Sequence, residues 1–563
     1  MSHSFAPPIT LAARTELASY DLRLQQLLFS RGILTKAAAA EFLNPDYETQ
    51  LHSPLLLHDI VRATTRIKTA MENSEEIAIF SDYDCDGIPG AVVAHDFLKA
   101  IQYTHFQNYI PHRHFEGFGL SVGAVEKLAA AGVTLIITID CGIGNVLAVA
   151  RAAELGVDVI ITDHHEPGKV VPAAVAVVNP KLGTYPFPHL CGAAVMYKLV
   201  QALLLTGDFS VPTGLEKWWL DMVGIATIAD MVPLVGENRV FAHFGLRVLR
   251  KSRRPGLQQL LRKAKMNQTY LTEEDIGFTI GPRINAASRM DAPEHAFQLL
   301  TATDETEAGV CAERLEKLNN ERKGSVAVMT RELHQRLAEL SEIPPVLVLG
   351  NPLWRPALAG LAANKLAEEY NRPVFLWGRD GNDCIKGSCR SGGGVSVVSL
   401  MDASAHAFSE HGGHHMSGGF AVYDNQVFTL SESLNQAYKN LGADCLVPNT
   451  KIIDATLVLE DVFGELRRNL ASLAPFGTGN PKPLFAFPTV SPQSVTQFGK
   501  VQEHLKLEFP TKQGTLEAIA FFATAAGFSV VPEAGKPLTL LAHIEESFYM
   551  GRRQTRLRIV DLL

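Results

Sequence analysis

Three aspartates lie within five residues of one another, Asp82, Asp84 and Asp86 in the stretch SDYDCDG. Carboxylates this close repel one another, and an ordinary surface loop has no need of such a cluster. A divalent cation among them would remove the repulsion. Oxygen ligands joined by a single imidazole suit Mn²⁺ or Mg²⁺ better than zinc. The stretch therefore predicts a site for divalent cations.

Further ligand-type residues follow other apolar runs. Asp140 ends VTLIITID, Asp163, His164 and His165 follow VDVIIT, and Asp230 interrupts IATIADMVPL. Taken singly, these motifs have ordinary explanations as a turn, a packed histidine pair and a helix cap. Together, with one histidine of the pair, they could hold two cations, the arrangement that clamps the attacking and leaving oxygens of a phosphoryl displacement.

The surrounding elements have the pattern of a parallel sheet. Apolar segments of strand character at 75–80, 133–139 and 157–162 alternate with helical segments, one of them starting at Ser121 and stopping at Gly132. Such a repeat indicates a parallel sheet with helices on its faces. Because ligands of open α/β sheets bind outside the carboxyl ends of the strands, we expect the acidic motifs to meet there.

The rest of the chain indicates further domains, since 563 residues exceed a single core. Residues 303–340 are rich in helix formers and would span about 57 Å if continuous, with Gly324 as the weakest point. A second α/β unit runs from 343 to 440 and carries the loops KGSCRSGGG and HGGHHMSGGF. From residue 451, short alternating segments indicate a small barrel.

Composition limits the class of protein. Hydrophobic residues make up 47% and charged residues 20%, as in ordinary globular proteins, and the net charge of −8 does not mark a nucleic-acid binder. Phosphate binding nevertheless needs only a local basic patch. The seven cysteines form no CxxC pair, and the longest apolar stretch is too short to span a membrane. The first thirty residues lack the basic-then-apolar pattern of a secretory signal. These features predict a cytoplasmic protein.

The motifs SDYDCDG, IDCG, TDHHEPG and IATIADMVPL resemble those of the DHH phosphoesterase superfamily in order and spacing. KGSCRS and HGGHHMSGG resemble its DHH-associated domain, and PHRHFEGFGLS, LCGAAVMYKL, GPRINAASRM and PFGTGNPKPLF complete the pattern of its RecJ-type exonucleases. The resemblance implies an α/β multidomain fold. Its parts would be a helical N-terminal segment (1–55), a parallel-sheet DHH domain (56–245), a helical connector with one long helix (246–340), a second α/β, DHH-associated domain (341–445) and a C-terminal OB-type β-barrel that binds nucleic acid (446–563).

The resemblance also assigns roles to the acidic and histidine residues. Asp140 would bridge two divalent ions, Mn²⁺ or Mg²⁺, and Asp82 would orient its neighbours from behind them. His165 would face the scissile phosphate, stabilising charge or protonating the leaving 3′ oxygen. The implied catalytic set is Asp84, Asp86, Asp140, His164, His165 and Asp230, all of them metal ligands except His165.

Recognition of the substrate would fall to basic and hydroxyl side chains. The resemblance implies that Arg113, Ser388 and Arg390 bind a 5′-terminal phosphate, and that Arg289 and His414 hold the next phosphates. Guanidinium forks and a hydroxyl suit such a group.

Three positions depart from the family pattern. Phe118 stands where a tyrosine is usual, Ser288 where a glycine is usual and Arg355 where a histidine is usual. None of them belongs to the set of metal ligands, so the departures bear on the affinity for substrate or on the direction of digestion. Phe118 could stack on a base or pack internally.

The implied function is a single-stranded-DNA-specific exonuclease that degrades DNA 5′→3′ to mononucleotides by two-metal hydrolysis, in recombination and repair. A RecQ-type helicase and a single-stranded-DNA-binding protein would be its partners, and we expect a monomer. One alternative is a DHH phosphodiesterase acting on short oligonucleotides or cyclic dinucleotides, which the barrel and connector disfavour. The other is a non-catalytic replication scaffold, which the complete ligand set disfavours.

Overall fold

The computed structural model of the chain describes residues 2–446, 450–499, 502–549 and 552–563. Within these ranges, none of the helices combines the length and the apolarity that a bilayer crossing needs. The chain forms two compact units. The larger consists of residues 52–230 and 244–449, and the smaller of residues 1–51, 231–243 and 450–563.

The elements are numbered along the chain. The helices are α1 Leu11–Glu16, α2 Leu22–Phe29, α3 Lys36–Leu43, α4 Ile60–Glu72, α5 Gly87–Ala100, α6 Val122–Ala130, α7 Val146–Glu154, α8 Gly192–Thr206, α9 Leu220–Ala229, α10 Gly236–Leu249, α11 Pro255–Lys263, α12 Glu273–Asp275, α13 Gly281–Met290, α14 Glu294–Thr301, α15 Glu305–Ala338, α16 Pro356–Tyr370, α17 Val397–Ala403, α18 Leu430–Leu441 and α19 Glu465–Leu473. The strands are β1 Ser2–Phe5, β2 Ile77–Ser81, β3 Phe106–Tyr109, β4 Leu135–Ile139, β5 Asp158–Thr162, β6 Ala176–Val178, β7 Leu347–Gly350, β8 Val374–Arg379, β9 Ile385–Arg390, β10 Glu410–His414, β11 Ser417–Val422, β12 Thr450–Ile453, β13 Ala455–Thr456, β14 Phe485–Val490, β15 Ser494–Phe498, β16 His504–Thr511, β17 Gly514–Ala520, β18 Leu538–Tyr549 and β19 Arg552–Leu562.

The first sheet of the larger unit is parallel, as the strand–helix repeat predicts. Its order is β3-β2-β4-β5-β6. Strands β2 and β4 are buried along their whole length, which explains their unbroken apolar sequence. Ser81 pairs with Ile139, and Ile139 pairs with Thr162. The residues that follow these three in the chain are Asp82, Asp140 and Asp163, so the register alone brings three acidic motifs to one edge.

The second sheet of the larger unit has the order β10-β11-β9-β8-β7, with only β7 and β8 parallel. Helix α15 precedes it as one unbroken helix of 34 residues, about 51 Å long. Gly324, the predicted weakest point, does not interrupt the helix. The space beside it is open, since a β-carbon there would meet no other atom within 4 Å. Leu315 and Leu318 on this helix are buried.

The smaller unit contains a seven-stranded sheet in the order β13-β14-β18-β19-β17-β16-β15. Burial alternates along β16, as its sequence HLKLEF predicts. Its core includes Phe485, Phe487 and Phe509 from the sheet together with Leu27 and Leu28 from α2. The N-terminal helices therefore share the core of this sheet.

Candidate active site

The loop after β2 folds around the side chain of Asp84. Its Oδ1 accepts hydrogen bonds from the N–H groups of Asp86, at 2.8 Å, and Gly87, at 3.2 Å. The N–H of Cys85 donates to Oδ1 of Asn285 on α13, at 3.0 Å. The acidic loop is thus held both from within and from a helix about 200 residues away in the chain.

Asp86 and Asp140 meet at the start of α8. The two carboxylate oxygens of Asp86 accept the N–H groups of Gly192, at 2.6 Å, and Ala193, at 2.7 Å. Amides at a helix N-terminus favour a negative charge. Asp140 has a left-handed backbone with φ of 60°, which aspartate tolerates better than most residues. A β-carbon at Gly192 would lie 2.5 Å from Cβ of Asp140, so only glycine admits this approach.

Asp163 organises the histidine pair. Its Oδ1 lies 2.7 Å from Nδ1 of His165 and accepts the N–H of His164 at 2.7 Å, while its Oδ2 accepts the N–H of Ile143 at 2.9 Å. Burial alone would raise the pKa of Asp163, but its hydrogen bonds and the charge of His165 hold it below the usual range. Since an ionised carboxylate only accepts, Nδ1 of His165 carries a proton and Nε2 is left for other partners. Sequence reasoning gave Asp163 no role of its own, although it directly precedes both histidines.

His164 lies among three of the predicted carboxylate ligands. Its Nε2 is 3.1 Å from Oδ1 of Asp140, 3.6 Å from Oδ2 of Asp86 and 3.7 Å from Oδ2 of Asp230. Burial lowers the pKa of His164 to about 3, so the ring is neutral, the form in which imidazole binds metals.

Ligand atoms fall into three overlapping groups, and within each group the atoms lie within 4.8 Å of one another. Each group could hold one cation. The groups are Asp82 with Asp84 and Asp140, Asp86 with His164 and Asp230, and Asp140 with His164 and His165. The structure thus brings together all six predicted catalytic residues and Asp82.

The donor set fits divalent cations. Oδ1 of Asp82 and Oδ1 of Asp140 are buried and accept no hydrogen bond from any residue the structure describes. Burial, reinforced by neighbouring carboxylates, raises the pKa of Asp82, Asp140 and Asp230 well above the usual range, and that of Asp86 to about 6. Carboxylates crowded in this way become stable as anions when cations lie among them, and oxygens with one imidazole match Mn²⁺ or Mg²⁺.

Asp82 lies close to two of the predicted ligands. One of its oxygens is within 4.8 Å of ligand oxygens of Asp84 and Asp140. This distance fits a group that orients its neighbours as well as a direct ligand, so the role of Asp82 behind the ligands stays a prediction. Alternating spacing along a loop could not distinguish these two roles, because the loop does not follow a strand or helix period.

Three arginines of the predicted substrate site have no carboxylate partner within the described ranges. Nη1 of Arg289 donates to the carbonyl of Ala357 at 2.5 Å, and Nη1 of Arg390 donates to that of Cys389 at 2.7 Å. Burial, with the charges of Arg113 and Arg390 among others, lowers the pKa of Arg289 to about 9. Guanidinium groups gathered in this way suit an anionic ligand such as a phosphate.

One of these arginines, Arg113, lines a cavity of about 560 Å³. Arg113, Phe118 and Ser388 line it, together with Pro356 and Ala357 at the N-terminus of α16. The Phe118 side chain is 54% exposed, so a stacking role is available to it. The structure therefore brings Arg113 and Ser388 to one cavity.

The other predicted substrate residue and the remaining departures lie elsewhere. His414 is exposed on β10, with Nε2 2.9 Å from the Ser417 hydroxyl. Nη1 of Arg355 donates to the carbonyl of Met290 at 2.9 Å, and Ser288 is buried in α13. Among the described residues, the 560 Å³ cavity is lined by neither Arg289 nor Arg390, and not by His414, Arg355 or Ser288.

Three family profiles match the chain. They are the DHH family, N-terminal domain (residues 76–227), the DHHA1 domain (344–440) and the RecJ OB domain (453–561). The single-stranded-DNA-specific exonuclease RecJ of Bacillus subtilis is 33% identical over 540 residues, which are 95% of this chain and 67% of the relative. The RecJ of Haemophilus influenzae is 31% identical over 83% of this chain and 84% of its own. This chain belongs to the RecJ family of single-stranded-DNA-specific exonucleases.

Solved RecJ structures agree. The crystal structure of Thermus thermophilus RecJ in complex with Mn²⁺ has a TM-score of 0.81 and 26% identity, covering 100% of this chain and 78% of that one. The Mg²⁺ complex, with a TM-score of 0.75 and 24% identity, shows the same fold. The predicted fold class and RecJ-type resemblance are confirmed. The five segment limits and the individual residue roles stay predictions.

Proposed function

We propose that this chain is a metal-dependent exonuclease that degrades single-stranded DNA 5′→3′ to 5′-mononucleotides, in recombination and repair. The proposal rests on one observation above all. The cation-sized groups of Asp82, Asp84, Asp86, Asp140, His164 and Asp230 lie in the same unit as three arginines without acidic partners. Divalent cations held by the carboxylates would bind the scissile phosphate, and the guanidinium groups would bind the phosphates beside it.

Two divalent cations, Mn²⁺ or Mg²⁺, would be held by Asp84, Asp86, Asp140, His164 and Asp230, with Asp82 orienting its neighbours. When bound, they would supply Lewis-acid chemistry at the phosphoryl oxygens and a nucleophile from water. The chain's own residues do the rest. Asp140 lies in the group with Asp82 and Asp84, and its Oδ1 is 3.1 Å from Nε2 of His164 in the group with Asp86 and Asp230, so it is the carboxylate proposed as the shared ligand. His165, with Nδ1 held by Asp163, directs Nε2 to the scissile phosphate. Burial alone would lower the pKa of His165, but the hydrogen bond and charge of Asp163 outweigh burial and raise it. The ring can therefore carry a second proton on Nε2, which stabilises charge or passes to the leaving 3′ oxygen.

The 5′ end would be held by Arg113, Ser388 and Arg390. Ser388 and Arg390 are two residues apart on β9, so their side chains lie on the same face of the strand. Together with Arg113 they offer guanidinium and hydroxyl donors to a terminal phosphate. Arg289 and His414 would contact the following phosphates.

The wider setting is proposed on the same basis. A cytoplasmic monomer would receive single-stranded DNA made by a RecQ-type helicase and coated by a single-stranded-DNA-binding protein. The proposed parts are the helical N-terminal segment (1–55), the catalytic domain (56–245), the connector (246–340), the substrate domain (341–445) and the barrel (446–563).

The function is tested with one single-stranded oligonucleotide, labelled at either end in separate reactions containing Mn²⁺. We expect the 5′ label to appear at once as mononucleotide while the 3′-labelled strand shortens progressively. EDTA should stop both reactions, and excess Mn²⁺ should restore them. If the oligonucleotide stays intact while a dinucleotide or cyclic dinucleotide is split, the chain is a small-substrate phosphodiesterase and the proposal fails.

Replacing Arg390 by alanine should selectively weaken binding of 5′-phosphorylated ends. A charge-assisted hydrogen bond contributes about 1.5–3 kcal/mol, or about 10- to 100-fold in kcat/KM. The measurement compares 5′-phosphate and 5′-hydroxyl oligonucleotides of one sequence. Equal losses on both would contradict the assignment of Arg390 to the terminal phosphate.

The guanidinium group of Arg390 packs against Gly360 on α16, where the absence of a side chain makes room for it. A β-carbon there would lie 2.7 Å from Nη2 and 3.2 Å from Cζ of Arg390. We expect Gly360→Ala to displace the guanidinium and to reduce the 5′-phosphate preference by about tenfold. Gly324→Ala on α15 is the matched control, since its new methyl group meets nothing within 4 Å, and it should leave the preference unchanged.

A further inference from the structure

Arg113 is held differently from the other arginines of the site. Arg289 and Arg390 are each anchored by a hydrogen bond to a backbone carbonyl. In the part of the chain that the structure describes, Arg113 makes no such bond and no ion pair. Its guanidinium group packs over the ring of Tyr83, whose centroid lies 4.7 Å from Cζ of Arg113. A contact through the face of a ring positions a guanidinium without occupying its five N–H donors.

Tyr83 is also fixed relative to the proposed metal ligands. It lies between Asp82 and Asp84 in the acidic loop, and its side chain is buried. The edge-to-face contacts continue from Tyr83 to Phe118, at 6.5 Å, and from Phe118 to His165, at 5.6 Å. One row of aromatic contacts therefore runs from Arg113, at the 560 Å³ cavity, to His165, beside the proposed metal ligands.

We propose that Tyr83 is a positioning residue that fixes Arg113 at a set distance from the metal ligands and so determines which phosphodiester bond is cut. This inference rests on the proposed exonuclease function. An exonuclease that releases mononucleotides must hold the terminal phosphate one nucleotide away from the hydrolysed bond. The backbone of the acidic loop joins Tyr83 directly to Asp82 and to the proposed ligand Asp84, so the spacing between anchor and metal site is built into one short segment.

The inference predicts that the aromatic ring matters more than the hydroxyl. Tyr83→Phe keeps the ring face and should keep the wild-type products. Tyr83→Leu removes it, so the long arginine side chain samples several rotamers. We expect the ratio of kcat/KM on 5′-phosphate over 5′-hydroxyl ends to fall about tenfold. We also expect dinucleotides and longer fragments to appear beside mononucleotides.

The test compares full-length wild type, Tyr83→Phe and Tyr83→Leu on one 5′- or 3′-labelled oligonucleotide, with Mn²⁺ binding measured by electron paramagnetic resonance. Phe244→Leu is the matched control, because it removes another ring–arginine contact, Phe244 with Arg247, outside the proposed site. It should keep the wild-type ratio and product lengths. A shift as large in Phe244→Leu as in Tyr83→Leu would overturn the inference.

A double-mutant cycle with Arg113→Ala separates positioning from general disruption. If Tyr83 acts through Arg113, Tyr83→Leu changes the end preference and product length little further once Arg113 is alanine. Equal effects in both backgrounds, or loss of Mn²⁺ binding in Tyr83→Leu, would overturn the inference. Failure of wild type to digest single-stranded DNA would instead refute the proposed function, which keeps the two failures distinct.

Discussion

Replacing Asp140 by alanine is expected to lower the rate of DNA hydrolysis by roughly 10⁴-fold or more. Asp140 shares a cation-sized group with Asp82 and Asp84, and its Oδ1 lies 3.1 Å from Nε2 of His164, which belongs to the group with Asp86 and Asp230. As the proposed shared ligand, Asp140 would be lost to both ions in the alanine variant. The measurement is single-turnover digestion of a 3′-labelled oligonucleotide in Mn²⁺.

The same variant should fold without metal at least as well as wild type. Asp140 is a buried carboxylate whose pKa is raised by burial and by Asp86, Asp84 and Asp82, so its removal relieves repulsion in the metal-free state. Mn²⁺ should raise the Tm of wild type by mass action and leave that of the variant nearly unchanged. Asp424→Ala, at an exposed pair with Arg379, is the control and should keep both activity and the Mn²⁺ response. Substantial turnover by Asp140→Ala would refute the shared-ligand assignment.

The grouping of the acidic motifs could be predicted because it follows from sheet geometry. Parallel strands present their carboxyl ends at one edge, and the registers Ser81–Ile139 and Ile139–Thr162 place the residues after them side by side. Continuous apolar runs mark such strands in the sequence. The start of α6 could be predicted as well, since Ser121 is a typical N-cap residue and its hydroxyl accepts the N–H of Ala124.

Other features depend on contacts that no local pattern records. Gly360 and Arg390 meet across a helix and a strand, and Asn285 reaches the acidic loop from α13. The core shared by the N-terminal helices and the seven-stranded sheet joins residues more than 400 positions apart. In such cases the spacing of hydrophobic residues identifies each helix or strand, but it does not show which other element packs against it. The closeness of Asp82 to Asp84 and Asp140 belongs to the same class, since it depends on the geometry of the loop.

An acidic protein can bind a polyanion because charge acts locally. The net charge is −8, yet Arg113, Arg289 and Arg390 carry no acidic partner in the described residues, and two of them depress the pKa of the third. Buried aspartates at the metal groups account for part of the negative total. Once cations lie among them, that part no longer repels phosphate.

Replacing His165 by alanine is expected to lower kcat by about 10²–10⁴-fold, the range found for general acid–base groups, with a smaller effect on KM. His165 is half exposed, its Nδ1 is held 2.7 Å from Oδ1 of Asp163, and its other nitrogen is left for the substrate. Asp163→Asn should give a partial loss, because an amide can accept one hydrogen bond but brings no charge. Initial rates over a range of oligonucleotide concentrations separate kcat from KM.

Mn²⁺ affinity decides between two roles for His165, because its ring also lies in a cation-sized group with Asp140 and His164. A residue that faces the phosphate can be removed without loss of metal, so His165→Ala should bind Mn²⁺ as wild type does. His164→Ala is the matched comparison and should bind it more weakly, since His164 is within 3.7 Å of three carboxylates. Equal weakening in both variants would make His165 a ligand, and the proton at the leaving 3′ oxygen would then have to come from another group.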